Sequence, residues 1–133
     1  MFLNNNNKFN ISISGMMGSG KSTISKIIAK KINYKFVDID KLIEEKEKKT
    51  INKIFEEKGE KYFRKLEEKI TIDVLNKKKI VVSLGGGAII NKNIRKSIIE
   101  NSYNIYLKVD IDILVKRLKN SKNRPLIYER DLS

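Results

Sequence analysis

Six of the seven glycines in this chain fall at two places, Gly15, Gly18 and Gly20 in GMMGSGKST and Gly85, Gly86 and Gly87 in SLGGGA. Glycine is costly in regular structure, so this clustering marks two backbone loops shaped around a ligand. Gly15 to Ser22 fits the pattern G-x-x-x-x-G-K-[ST], in which glycines let successive backbone N–H groups turn inward around a diphosphate. The flanks agree with it. Phe9, Ile11 and Ile13 alternate with polar residues as in a strand, and Ile24, Ile27, Ile28 and Ile32 recur at helical spacing. Strand, glycine loop and helix form the context the motif demands. Lys21 is then placed to reach the β- and γ-phosphates of a nucleoside triphosphate. The Ser22 hydroxyl is placed to ligate Mg²⁺, and the helix N-terminus adds a partial positive charge. The plain alternative is a glycine turn capped by Ser22.

The rest of the chain repeats the alternation. Phe9–Ser14, Tyr34–Ile39, Ile80–Leu84 and Asn104–Val109 read as strands. Ser22–Asn33, Lys41–Lys48, Ile51–Asn76, Asn93–Asn101 and Asp112–Lys119 read as helices. Strands alternating with helices imply an α/β fold, a parallel sheet covered on both faces, with ligands bound at the carboxyl ends of the strands. Both glycine clusters fall at that edge. At 133 residues one domain is expected, with residues 1–8 a flexible leader. The first strand is unusually polar for a buried one, carrying Asn10, Ser12 and Ser14.

Cysteine and histidine are both absent, which excludes disulfides, thiolate nucleophiles, Cys/His zinc sites and imidazole bases. The chemistry must come from carboxylates, Lys, Arg, backbone amides and a hard cation such as Mg²⁺. No secretory leader is recognisable and no apolar run approaches the ~18 residues of a membrane span, so a cytoplasmic protein without a membrane partner is expected. The net charge of +13 raises the question of nucleic acid. Its distribution answers against it: lysines interleave with glutamates, as on a solvated helical face, and no aromatic stacking platform accompanies them.

Four further groups stand out. Asp38 and Asp40 flank one apolar residue at the end of the second strand. One could support Mg²⁺ while the other accepts a hydroxyl proton, or Asp40 could simply cap the helix that follows. Arg64, in GEKYFR, is either a surface arginine or a guanidinium suited to a substrate carboxylate. Gly85-Gly86-Gly87 requires backbone to approach a ligand. Arg124, beside the chain's only proline, reads as part of a phosphate-closing lid at about residues 111–131, or as an exposed turn.

Taken in order, GMMGSGKST, DID, GEKYFR, SLGGG and RPL resemble shikimate kinase, a family of small P-loop kinases. The resemblance runs from about Phe9 to Leu126. It implies a three-layer α/β/α P-loop NTPase fold, like that of nucleoside-monophosphate kinases, and transfer of the ATP γ-phosphate to the 3-hydroxyl of shikimate, a step of chorismate and aromatic amino acid biosynthesis. By the same resemblance Gly18, Ser19, Gly20, Lys21, Ser22 and Thr23 bind the ATP phosphates, and Ser22 and Asp38 hold the metal. Asp40, Arg64, Gly85, Gly86 and Gly87 hold shikimate, with Asp40 as base. Arg124 is the lid arginine on the transferring phosphate, so Lys21, Asp40 and Arg124 are the expected catalytic set. Family members continue past RPL with a further helix, an edge strand and a final helix, and these are expected to be missing here. A monomer is expected, with dimerisation through an open edge strand as the alternative. The competing functions are a catalytically impaired nucleotide-binding remnant and a related small-molecule kinase acting on gluconate.

Overall fold

The computed structural model describes residues 10–15 and 20–107. Four strands, β1 (Asn10–Gly15), β2 (Lys35–Asp38), β3 (Ile80–Ser83) and β4 (Ser102–Leu107), alternate with four helices, α1 (Lys21–Ile32), α2 (Ile39–Glu47), α3 (Ile51–Leu75) and α4 (Lys92–Asn101). All strand pairs are parallel and their order is β2-β3-β1-β4. β1 and β3 are therefore neighbours, and the two glycine loops leave the sheet side by side. The expected leader at 1–8, the helix at Asp112–Lys119 and the lid lie outside the described residues.

Strand alternation sorts the side chains into two apolar layers. On one face Ile13, Val81 and Leu107 pack with Ile24 and Ala29 of α1. On the other, Ile80, Val82 and Leu84 meet Ile39 and Ile43 of α2, Phe63, Ile70 and Val74 of α3, and Ile94 and Ile98 of α4. Helices on both faces of a parallel sheet make the three-layer α/β/α architecture. No described helix is long and apolar enough to cross a membrane.

Three local features depart from the sequence reading. β2 stops at Asp38 and α2 starts at Ile39, so Asp40 lies in a first helical turn and not on a strand. The long α3 is broken at Gly59, whose φ of 87° and ψ of 166° suit glycine and strain other residues. A short 3-10 helix, Ala88–Ile90, follows the triple glycine.

The polarity of β1 has a structural answer. Asn10, Ser12 and Ser14 are all buried, and all are hydrogen-bonded. Asn10 donates through Nδ2 to the Leu75 and Lys77 carbonyls at 2.9 and 2.7 Å and accepts from Ile80 N at 3.0 Å, which fixes the turn between α3 and β3. Ser12 and Ser14 bond sideways to Ser102 and Asn104 of β4. A buried polar group with its partners in place costs little, whereas an orphaned one costs about 1–3 kcal/mol.

Candidate active site

The first loop leaves β1 at Gly15. A Cβ on this glycine would stand 2.4 Å from the Leu107 carbonyl oxygen of β4, so only hydrogen fits. Where the loop re-enters at Gly20, α1 begins at Lys21, whose Nζ donates back to the Gly15 carbonyl at 3.1 Å. The ammonium is thus drawn over the loop mouth. Burial pulls the Lys21 pKa below its ordinary value, against the pull of the Asp40 and Asp38 carboxylates.

One residue further on, Ser22 Oγ donates to Asp38 Oδ2 at 2.9 Å. The other oxygen of Asp38 accepts from Lys41 N at 3.2 Å, so Asp38 is the cap of α2. The capping alternative considered for Asp40 therefore belongs to Asp38. Asp40 sits within α2's first turn, where burial, then Asp38 and Glu67, push its pKa above the ordinary aspartate value, with Lys21 pulling the other way. Lys21, Ser22, Thr23, Asp38 and Asp40 share a cavity of about 270 Å³ with Gly20, Ser83, Leu84, Gly85 and Gly86.

The second loop is held open by its own turns. Ala88 N bonds Gly85 O and Ile90 N bonds Gly87 O, both at 3.2 Å, while Arg95 Nη1 donates to the Ile89 and Ile90 carbonyls. Two of its three glycines are packed against candidate site side chains. A Cβ on Gly85 would fall 2.8 Å from Asp40 Oδ1 and 3.2 Å from Glu67 Oε2, and one on Gly87 would fall 2.7 Å from Arg64 Nη2. Among the described residues nothing lies within 4 Å of a Cβ on Gly86, and Gly86 lines the cavity.

Arg64 lies beside Gly87 and does not line the cavity itself. Its Nη1 donates to Glu67 Oε1 at 2.8 Å and its Nε lies 3.7 Å from Glu60. Glu67 is 2% exposed, lies between Arg64 and the Asp40–Gly85 contact, and was not singled out by the sequence. The available signal was its position three residues after Arg64, one helical turn along. Gly18, Ser19 and Arg124 lie outside the described residues. Among the described residues no group of three His, Cys, Asp or Glu could hold a metal ion. The adjoining Ser22 and Asp38 oxygens nonetheless fit Mg²⁺, which prefers oxygen and keeps much of its water.

A central parallel strand and a helix joined across the sequence G-x-x-x-x-G-K-S, with two aspartates lining the cavity beside them, are the arrangement of the P-loop fold. The family model for shikimate kinase matches residues 17–133. A shikimate kinase of Sulfurihydrogenibium sp. is 51% identical over 120 residues, which cover 90% of this chain and 72% of that protein. One of Bartonella quintana is 41% identical, over 85% of this chain and 54% of its own length. The solved shikimate kinase from Acinetobacter baumannii in complex with shikimate superposes with a TM-score of 0.76 at 35% identity, covering 88% of this chain and 65% of that one. The chain belongs to the shikimate kinase family.

Proposed function

We propose that the chain transfers the γ-phosphoryl group of ATP to the 3-hydroxyl of shikimate, giving shikimate 3-phosphate and ADP in aromatic amino acid biosynthesis. The observation that carries this reading is the position of Asp40, set between Lys21 on the phosphate side and Gly85, Glu67 and Arg64 on the other. One carboxylate thus faces both halves of a two-substrate site.

Gly20, Lys21, Ser22 and Thr23, with Gly18 and Ser19, cradle the phosphates through backbone N–H groups, and Lys21 neutralises charge as it develops. Ser22 and Asp38 would hold Mg²⁺, which would supply further charge neutralisation on the phosphate oxygens. Arg64, with its guanidinium turned by Glu67, takes the shikimate carboxylate, while Gly85, Gly86 and Gly87 let the ring approach the backbone. The 3-hydroxyl oxygen attacks phosphorus in line, its proton passes to Asp40, and the bond to the ADP oxygen breaks. Burial, with Asp38 and Glu67, raises the Asp40 pKa above the ordinary aspartate value, which makes its carboxylate a stronger base toward that proton. Arg124 is assigned the lid contact to the transferring phosphate. The protein works in the cytoplasm as a monomer, without nucleic acid or membrane.

A coupled assay with ATP and shikimate, gluconate or nucleoside monophosphates tests the reading. Turnover selective for shikimate is expected; shikimate turned over no better than the others overturns it.

A further inference from the structure

The buried polar side chains of β1 form one directed chain. Ser14 Oγ donates to Asn104 Oδ1 at 3.2 Å, and Asn104 Nδ2 donates to Ser12 Oγ at 2.9 Å and to the Ser12 carbonyl at 3.3 Å. Ser102 Oγ donates to the Ile98 carbonyl at 2.8 Å, the end of α4. Its single proton is thereby spent, so in the 2.9 Å contact between the two hydroxyls Ser12 is the donor. The sequence of donation is Ser14, Asn104, Ser12, Ser102, Ile98 O, and it runs without a clash of donors.

The direction of these bonds matters. In the ladder Ser12 faces Asn104 and Ser14 faces Tyr106. Ser14 nevertheless bonds Asn104, and Ser12 bonds Ser102, each two residues back along β4. Such diagonal ties resist sliding of one strand along the other. What that sliding would disturb is the next residue, Gly15. Its α-carbon abuts the Leu107 carbonyl of β4, and its own carbonyl receives Lys21 Nζ. Sliding of β1 along β4 would alter both the close approach of Gly15 to Leu107 and the place of the carbonyl that Lys21 Nζ bonds.

We infer that Ser12, Ser14, Ser102 and Asn104 are positioning residues for phosphate binding: they lock β1 against shear on β4, and so set the place of the Lys21 ammonium at the loop mouth. Asn104, which both accepts and donates in the chain, is its centre. The inference rests on the reading of the glycine loop as a phosphate site and does not depend on shikimate as the second substrate.

Asn104→Leu and Ser14→Ala cut the chain at different points, the second by removing a buried hydroxyl without adding bulk. Affinity for a non-hydrolysable ATP analogue, affinity for shikimate and melting temperature are measured on each and on the unchanged chain. Misplacement of a binding group by a fraction of an ångström is expected to weaken the analogue by about tenfold. Shikimate affinity should stay within about twofold, and the double variant should be no weaker than the worse single one, since both cut one chain. Analogue affinity unchanged in both variants overturns the inference. So does a loss shared equally by analogue and shikimate that follows the melting temperature, since that is what general loosening produces. If the unchanged chain fails to bind the analogue, the phosphate-site reading falls first, before any variant is compared.

Discussion

Glu67 and Arg64 stand one turn apart on α3 and are joined at 2.8 Å, the carboxylate buried to 2% exposure and the guanidinium still partly open. A buried anion with one such partner acts as a fixed anchor, and the exposed cation takes its orientation from it. Glu67→Gln keeps the shape and removes the charge. The expected outcome is a KM for shikimate raised about tenfold, the cost of a weakened charge-assisted contact, with the KM for ATP unchanged. Steady-state kinetics varying each substrate in turn measures it.

Asp40 must be ionised to accept a proton, and its folded pKa lies above the ordinary aspartate value of 3.8. Activity is therefore lost as pH falls through that raised pKa, at a higher pH than an unperturbed aspartate would give. Glu67 is among the carboxylates that raise it. In Glu67→Gln the acid limb of the kcat/KM profile for shikimate should move to lower pH. A limb that stays put or moves up would remove Asp40 from the role of base.

The three glycines of SLGGGA should respond differently to alanine. Gly85→Ala pushes a methyl onto the Asp40 carboxylate and Gly87→Ala onto the Arg64 guanidinium. Both should lower kcat/KM for shikimate, Gly85→Ala the more, because Asp40 is short and set in a helix while Arg64 is long and adaptable. Gly86→Ala meets nothing among the described residues, so its melting temperature should be unchanged. Any loss of shikimate affinity in Gly86→Ala then reports contact between substrate and that stretch of backbone.

Lys21→Ala should reduce turnover by roughly 10²–10³-fold, the usual consequence of deleting one group that faces developing charge. Burial disfavours the charge of its ammonium, so no large loss of stability is expected on its removal. Circular dichroism and thermal melting close to those of the unchanged chain are expected. A sharp fall in melting temperature would show a structural lysine instead.

Asp38 caps α2 and, on the proposed reading, also holds Mg²⁺, and substitution can separate the two. In Asp38→Asn the amide still caps α2 and still meets Ser22 but carries no charge, so the Mg²⁺ concentration for half-maximal activity should rise with stability unchanged. Asp38→Ala loses the cap as well and should cost about 1 kcal/mol of stability in addition. Denaturant unfolding alongside a Mg²⁺ titration distinguishes the two.

What the sequence shows and what it hides divide by distance along the chain. The phosphate loop, the Asp38/Asp40 pair and the triple glycine are legible because their chemistry depends on residues a few positions apart. Glu67 is not, because it sits in LEEK, within a Lys/Glu-rich stretch that reads as a solvated face. Its burial comes from the packing of α3 against the Gly85 loop, which no local pattern records. Sequence pattern puts Asp40 on a strand because strand and helix meet between the two aspartates, where helix boundaries are least certain. The polar residues of β1 look anomalous for a different reason. Their partners lie 65 to 92 residues away.

That separation has a consequence for the order in which the protein is made. β1 leaves the ribosome before the other strands, yet it pairs with β3 about 70 residues later and with β4 about 90 residues later. A fully apolar strand with that wait would be sticky, and exposed β-forming segments of low charge are the usual seeds of aggregation. Asn10, Ser12 and Ser14 stay hydrated until their partners arrive, so the same side chains that close the finished sheet also keep the unfinished chain in solution.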